Sequence, residues 1–190
     1  MRRAPLPSGI LSIHGPVPDR RDDIGEKALR LIQMSAAQLP VPGGIILTST
    51  YLGALIERLG CESSLMGLES ARSTSSPESH AAKVLRDAAE ESQEEAEFRS
   101  LLAGGSRTFA VRSAAIGEDS AGDSFAGQYR TLLNISLEET WGAVLDCYAS
   151  WWSERAISYR KRSHSPDSAP RISIIIQDQI HSDYSGVMFT

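Results

Sequence analysis

Apolar positions spaced three and four apart mark the first regular element. Between Gly25 and Gln38, Ala28, Leu31, Ile32, Ser35 and Ala36 fall on one helical face. Pro40 and Pro42 stop that helix, and the run Gly44-Ile45-Ile46-Leu47-Thr48 reads as a buried strand. Thr48 or Ser49 then caps a second short helix that runs through Leu59. From Cys61 to His80 the periodicity is lost among Ser, Glu and Gly, so 61–80 reads as a mobile loop in which Leu65, Met66 and Leu68 touch the core. Ala81 to Leu102 predicts a helix closed by Gly104-Gly105, with Glu90, Glu91, Glu94, Glu95 and Glu97 on a solvated face.

The strongest helical pattern runs from Leu137 to Arg162. Ser136 and Glu139 have the spacing of a capping box, and Trp141, Leu145, Tyr148, Trp152, Ala156 and Tyr159 recur at helical intervals. Such an aromatic stripe packs a core. Short apolar runs at Phe109–Arg112, Ile172–Gln177 and Val187–Thr190 read as strands, the last two separated by the tight Ser185-Gly186 step. Helices mixed with short, non-alternating strands give an α+β class with a partly antiparallel sheet. Residues 1–22, rich in Pro and Arg, are expected to be extended and to stand apart from a domain over 23–190.

Composition narrows the function. The 190 residues can bury a sizeable core, and 41% hydrophobic with 23% charged residues is ordinary for a globular protein. A formal charge of −5 without a dense basic run argues against general nucleic-acid binding. No apolar run approaches the roughly 20 residues that span a bilayer, and prolines break the Arg-bearing start, so no membrane span or signal peptide is expected. Cys61 and Cys147 lack paired spacing and read as free thiols. A cytoplasmic location is therefore expected.

The candidate chemistry lies in FAVRSAAIGEDSAGDSFAGQYRTLLNI, Phe109 to Ile135. Arg112 is placed where a strand gives way to a loop of Gly117, Ser120, Ala121, Gly122, Ser124, Ala126 and Gly127. Small residues let backbone N–H groups approach an anion, and a guanidinium fork suits phosphate oxygens. The loop is equally what a solvated connection looks like, and Glu118, Asp119 and Asp123 repel phosphate unless a cation offsets them. It is neither a Walker loop nor a dinucleotide fingerprint. Arg112 on its own is equally suited to an ion pair with Glu118 or Asp119.

The segment from Val111 to Ile135 resembles the signature of the nucleotide-binding domain shared by phosphoenolpyruvate synthase, pyruvate phosphate dikinase and rifampin phosphotransferase. Two more segments resemble the same family in the same order. IGEKALRLIQMSAAQLPVPGGIILTSTYL, Ile24 to Leu52, is similar to its opening helix and following strand; SIIIQDQIHSDYSGVMFT, Ser173 to Thr190, is similar to its Q-x-M-V…GVMFT strand pair. The resemblance implies an ATP-grasp-like α+β fold with mixed or antiparallel sheets and flanking helices, in which nucleotide lies between two lobes. It implies that Lys27 and Arg112 reach the phosphates, Arg112 in a catalytic role. Gly127 and Thr131 would line the nucleotide, and Gln177, Gln179 and Ile180 would surround the adenine.

Several positions depart from the family pattern or have simpler readings. Glu26 stands where the family has the second glycine of G-G-K, and Gln179 where it has methionine. A lysine at the start of a helix is commonly solvent-exposed, and the Gln177 amide also suits a bond to neighbouring backbone. His14, His80, His164 and His181 read as surface residues outside the context of a phosphohistidine. The resemblance also implies that the chain is a partial nucleotide-binding domain. The second lobe with its Mg²⁺ ligands, the phosphohistidine domain and the phosphoenolpyruvate-binding domain would lie further on. The expected function is the ATP-binding part of a dikinase-type phosphotransferase. A non-catalytic nucleotide-binding or regulatory module, or an interaction domain that has lost the nucleotide, is the alternative.

Overall fold

Five strands among the described residues form one antiparallel sheet in the order β1-β2-β5-β3-β4. The computed structural model describes residues 6–19, 21–68, 75–90, 92–104, 108–116, 130–162 and 170–186. The strands are β1 (Ile10–Ser12), β2 (Gly44–Leu47), β3 (Thr108–Ala115), β4 (Thr131–Ser136) and β5 (Ile172–Asp178). The helices are α1 (Gly25–Ala36), α2 (Ser49–Arg58), α3 (Glu62–Leu65), α4 (Pro77–Glu90), α5 (Glu94–Leu102), α6 (Thr140–Ala149) and α7 (Glu154–Arg162), with 3-10 turns at Arg21–Asp23 and Ser150–Trp152.

Because strand side chains alternate between faces, the sheet sorts its residues into two cores. One face carries Ile45, Leu47, Phe109, Val111, Ile174 and Ile176 and packs beneath α2 to α6. The other carries Ile46, Ala114 and Ile175 and is covered by α1 through Ala28, Leu29 and Ile32. The layers are thus helices, sheet, helix. That arrangement is an α+β antiparallel sheet with flanking helices.

Local signals hold where they were strongest. Thr48 Oγ1 accepts the Tyr51 N–H at 3.2 Å and caps α2. Trp141, Leu145, Tyr148, Trp152 and Ala156 are buried, whereas Tyr159 is only half-buried. Elsewhere the fold corrects the pattern. The helix expected over 81–102 starts at Pro77 and breaks into α4 and α5, and the one expected over 137–162 is divided by the 3-10 turn at Ser150–Trp152. The box residues meet, with Glu139 accepting from the Ser136 N–H at 3.1 Å and hydroxyl at 2.8 Å, but α6 begins only at Thr140. Part of 61–80 is helical, and Leu65 and Leu68 are buried while Met66 is exposed. The buried stripe of α1 is Gly25, Ala28, Leu29 and Ile32. Ile10–Ser12, expected as extended chain apart from the domain, is hydrogen-bonded to β2 as an edge strand. The strand expected at Val187–Thr190 lies outside the described residues.

Candidate functional site

Three strands and the start of α1 meet on the face that α1 covers. Arg112 does not end its strand as expected. It sits within β3, opposite Thr131 of β4 and Ile175 of β5. Ala110, two residues before it on the same face, is opposite Gln177. Arg112 and Gln177 are therefore diagonal neighbours, roughly 7–8 Å apart at the backbone, and Thr131 is closer still. Arg112 is half-buried and Thr131 exposed.

α1 reaches this face with its N-terminus against the far end of β3. Gly25 has φ +68°, and a Cβ there would stand 2.8 Å from the Ala115 carbonyl oxygen and 3.2 Å from that of Ala114. Only glycine allows so close an approach in that conformation. Ile24 is the N-cap and makes no side-chain cap hydrogen bond, so the positive end of the helix dipole lies over the strand ends without a capping side chain. Lys27 stands in this first turn, half-buried. Glu26, whose charge would oppose an anion, accepts a hydrogen bond from Arg30 Nε at 3.0 Å and is balanced by that arginine.

At the other end of the face, Gln177 is buried and donates through Nε2 to the Pro42 carbonyl at 3.2 Å. This is the backbone bond that the residue type alone allowed. The Gln179 N–H is taken by the Thr108 carbonyl at 3.0 Å, its Oε1 accepts from the Asn134 N–H at 3.3 Å, and its Nε2 donates to the Ile180 carbonyl at 3.0 Å. Ile180 is 59% exposed, and Leu133, next to Asn134, is 57% exposed. Leu133 and Asn134 went unnoticed in the sequence, since a short polar-apolar segment at a sheet edge has no distinct period.

The Gly117–Gly127 loop, with Glu118, Asp119, Asp123 and Gly127, lies outside the described residues. Among the described residues no group of three or more His, Cys, Asp or Glu side chains is placed to hold a metal ion. Nor is any described helix long and apolar enough to cross a membrane. His14 and His181 are exposed and make side-chain contacts, Nδ1 to Ser35 Oγ at 2.7 Å and Nε2 to Thr108 Oγ1 at 3.1 Å.

Residues 21–190 match the family described as the pyruvate phosphate dikinase AMP/ATP-binding domain. The chain is 36% identical over 169 residues to an uncharacterized phosphotransferase, YvkC, of Bacillus subtilis, covering 87% of this chain and 19% of that protein. A rifampicin phosphotransferase of Streptomyces sviceus is 38% identical over 48% of the chain and 11% of its own length. A probable phosphoenolpyruvate synthase of Methanothermobacter thermautotrophicus is 27% identical over 90% of the chain and 27% of its own length. The chain thus spans roughly a tenth to a quarter of these relatives.

Proposed function

This chain belongs to the pyruvate phosphate dikinase AMP/ATP-binding domain family, and from that premise we propose that it is the ATP-binding portion of a dikinase-type phosphotransferase. The fold would be of the ATP-grasp type, with nucleotide laid along the α1 face of the sheet. ATP phosphates sit at the start of α1, held by its first-turn N–H groups, by Lys27 and by the fork of Arg112. Thr131 and Gly127 line the nucleotide. The adenine lies at the opposite end of the face, beside Gln177, Gln179 and Ile180. Because the Gln179 N–H is already engaged by Thr108, its carbonyl is the main-chain group left to accept from the adenine amino group. In the whole enzyme, ATP would phosphorylate a histidine on another domain, and the group would pass to pyruvate or another acceptor. Mg²⁺ would neutralise phosphate charge through ligands other than the described residues.

The observation that carries the reading is the meeting of an uncapped helix N-terminus with Arg112 and Thr131 on one sheet face. Calorimetric titration of the gene's full product with Mg-ATP tests it. Lys27→Ala and Arg112→Ala should each weaken affinity at least tenfold; wild-type affinity in both would refute it. The alternative is a nucleotide-binding module without catalysis. Incubation with radiolabelled ATP separates the two, because only the enzyme forms an acid-labile phosphohistidine.

A further inference from the structure

The residues that lead into α1 are fastened to three other elements. Asp23 Oδ1 accepts from the Ser49 hydroxyl at 2.6 Å, the Thr50 N–H at 2.9 Å and the Thr50 hydroxyl at 3.0 Å, all in the first turn of α2. The Ile24 carbonyl accepts from the hydroxyl of Ser173 on β5, a side chain at 0% exposure whose Oγ also lies 3.3 Å from the Ala114 carbonyl oxygen. Gly25 rests on the backbone of β3. Asp23 thus serves as the anion at the N-terminus of α2, and that of α1 is left for a ligand. Ile24 contributes no cap, so these long-range contacts, rather than a local one, fix where the chain enters α1.

We propose that Asp23 and Ser173 are positioning residues for the nucleotide. They set where the first turn of α1, and Lys27 with it, lies relative to Arg112. The proposal rests on the nucleotide reading above. Neither side chain touches ATP. The physical lever is distance: a helix terminus acts on an anion only within its first turn, and small misplacements of a binding group are costly.

The test uses the full product of the gene with Asp23→Ala, Asp23→Asn, Ser173→Ala and Lys27→Ala. Two quantities are read: the Mg-ATP dissociation constant by calorimetry and amide exchange over residues 25–28. Asp23→Ala should raise the dissociation constant about tenfold and speed exchange at the start of α1. Asparagine keeps an acceptor oxygen and should stay within about threefold of wild type, a rescue that a general loss of stability would not give. Ser173→Ala should weaken binding in the same direction. If Asp23→Ala fails to fold, Ser49→Ala removes one donor from the opposite side and carries the same expectation. Faster exchange with unchanged ATP affinity would overturn the positioning role and leave the nucleotide reading intact. So would an asparagine variant as impaired as alanine. A wild-type protein with no affinity for ATP would overturn both readings, and Lys27→Ala binding normally would overturn the positioning role.

Discussion

Three glycines separate backbone strain from steric contact. Gly25 has φ +68° with carbonyl oxygens 2.8 and 3.2 Å from where a Cβ would stand. Gly60 has φ +65° and nothing within 4 Å, and Gly53, inside α2, has ordinary φ and nothing within 4 Å. Alanine at Gly60 therefore incurs only left-handed strain, about 1–2 kcal/mol. At Gly25 it adds an overpacking cost of about 1–3 kcal/mol, because the neighbour is strand backbone that cannot swing away. The sum is about 2–5 kcal/mol, roughly a 4–20 °C fall in Tm for a domain of this size. Alanine at Gly53 should instead stabilise by about 0.5–1 kcal/mol, since it restricts the unfolded chain and favours helix. Urea denaturation followed by tryptophan fluorescence gives all three values. If Gly25→Ala lost no more than Gly60→Ala, α1 would not be seated on β3, and the phosphate end of the site would lose its geometry.

Arg112→Ala in the full gene product should reduce ATP-dependent turnover by about 2–4 kcal/mol at the transition state with the fold retained; near-normal activity, or unfolding seen by circular dichroism, would make the arginine structural. Burial raises the Asp23 carboxyl, but hydrogen bonds from Ser49, Thr50 and Thr48 outweigh it and hold the group below its ordinary value. With the folded value the lower one, its stabilisation is present above about pH 4 and lost as pH falls through the folded value. Asp23→Asn should accordingly flatten the acid limb of stability between pH 5 and 2 (about the range in which carboxylates titrate), and an unchanged limb in urea melts would contradict this. Burial pushes the Cys147 thiol up to about 12, and Cys61 is also raised by burial. Both should resist iodoacetamide at pH 8 in the native protein and react once it is unfolded, as read by mass spectrometry. Rapid native labelling of Cys147 would place it outside the core.

Much was legible because its causes are local. The prolines after α1, the Thr48 cap and the apolar runs of β2 and β5 each act within a few residues of themselves, so they read the same in sequence and fold. Family membership was legible too, carried by three motifs in order. What stayed hidden depends on residues far apart in the chain. β1 is three residues long with only Ile10 buried, and β4 is an edge strand with no fully buried residue, so neither imposes a clear period on its sequence. The pattern from Leu137 to Arg162 gave no warning of a break, because α6 is buried nearly all round and its packing, not its own period, sets where it ends. Arg112 seemed to end a strand because small residues follow it; pairing with β5 carries that strand on to Ala115. Asp23 meets Thr50 across 27 positions and Ser173 meets Ile24 across 149. No local rule reaches that far, since such contacts exist only once the sheet has brought its strands together.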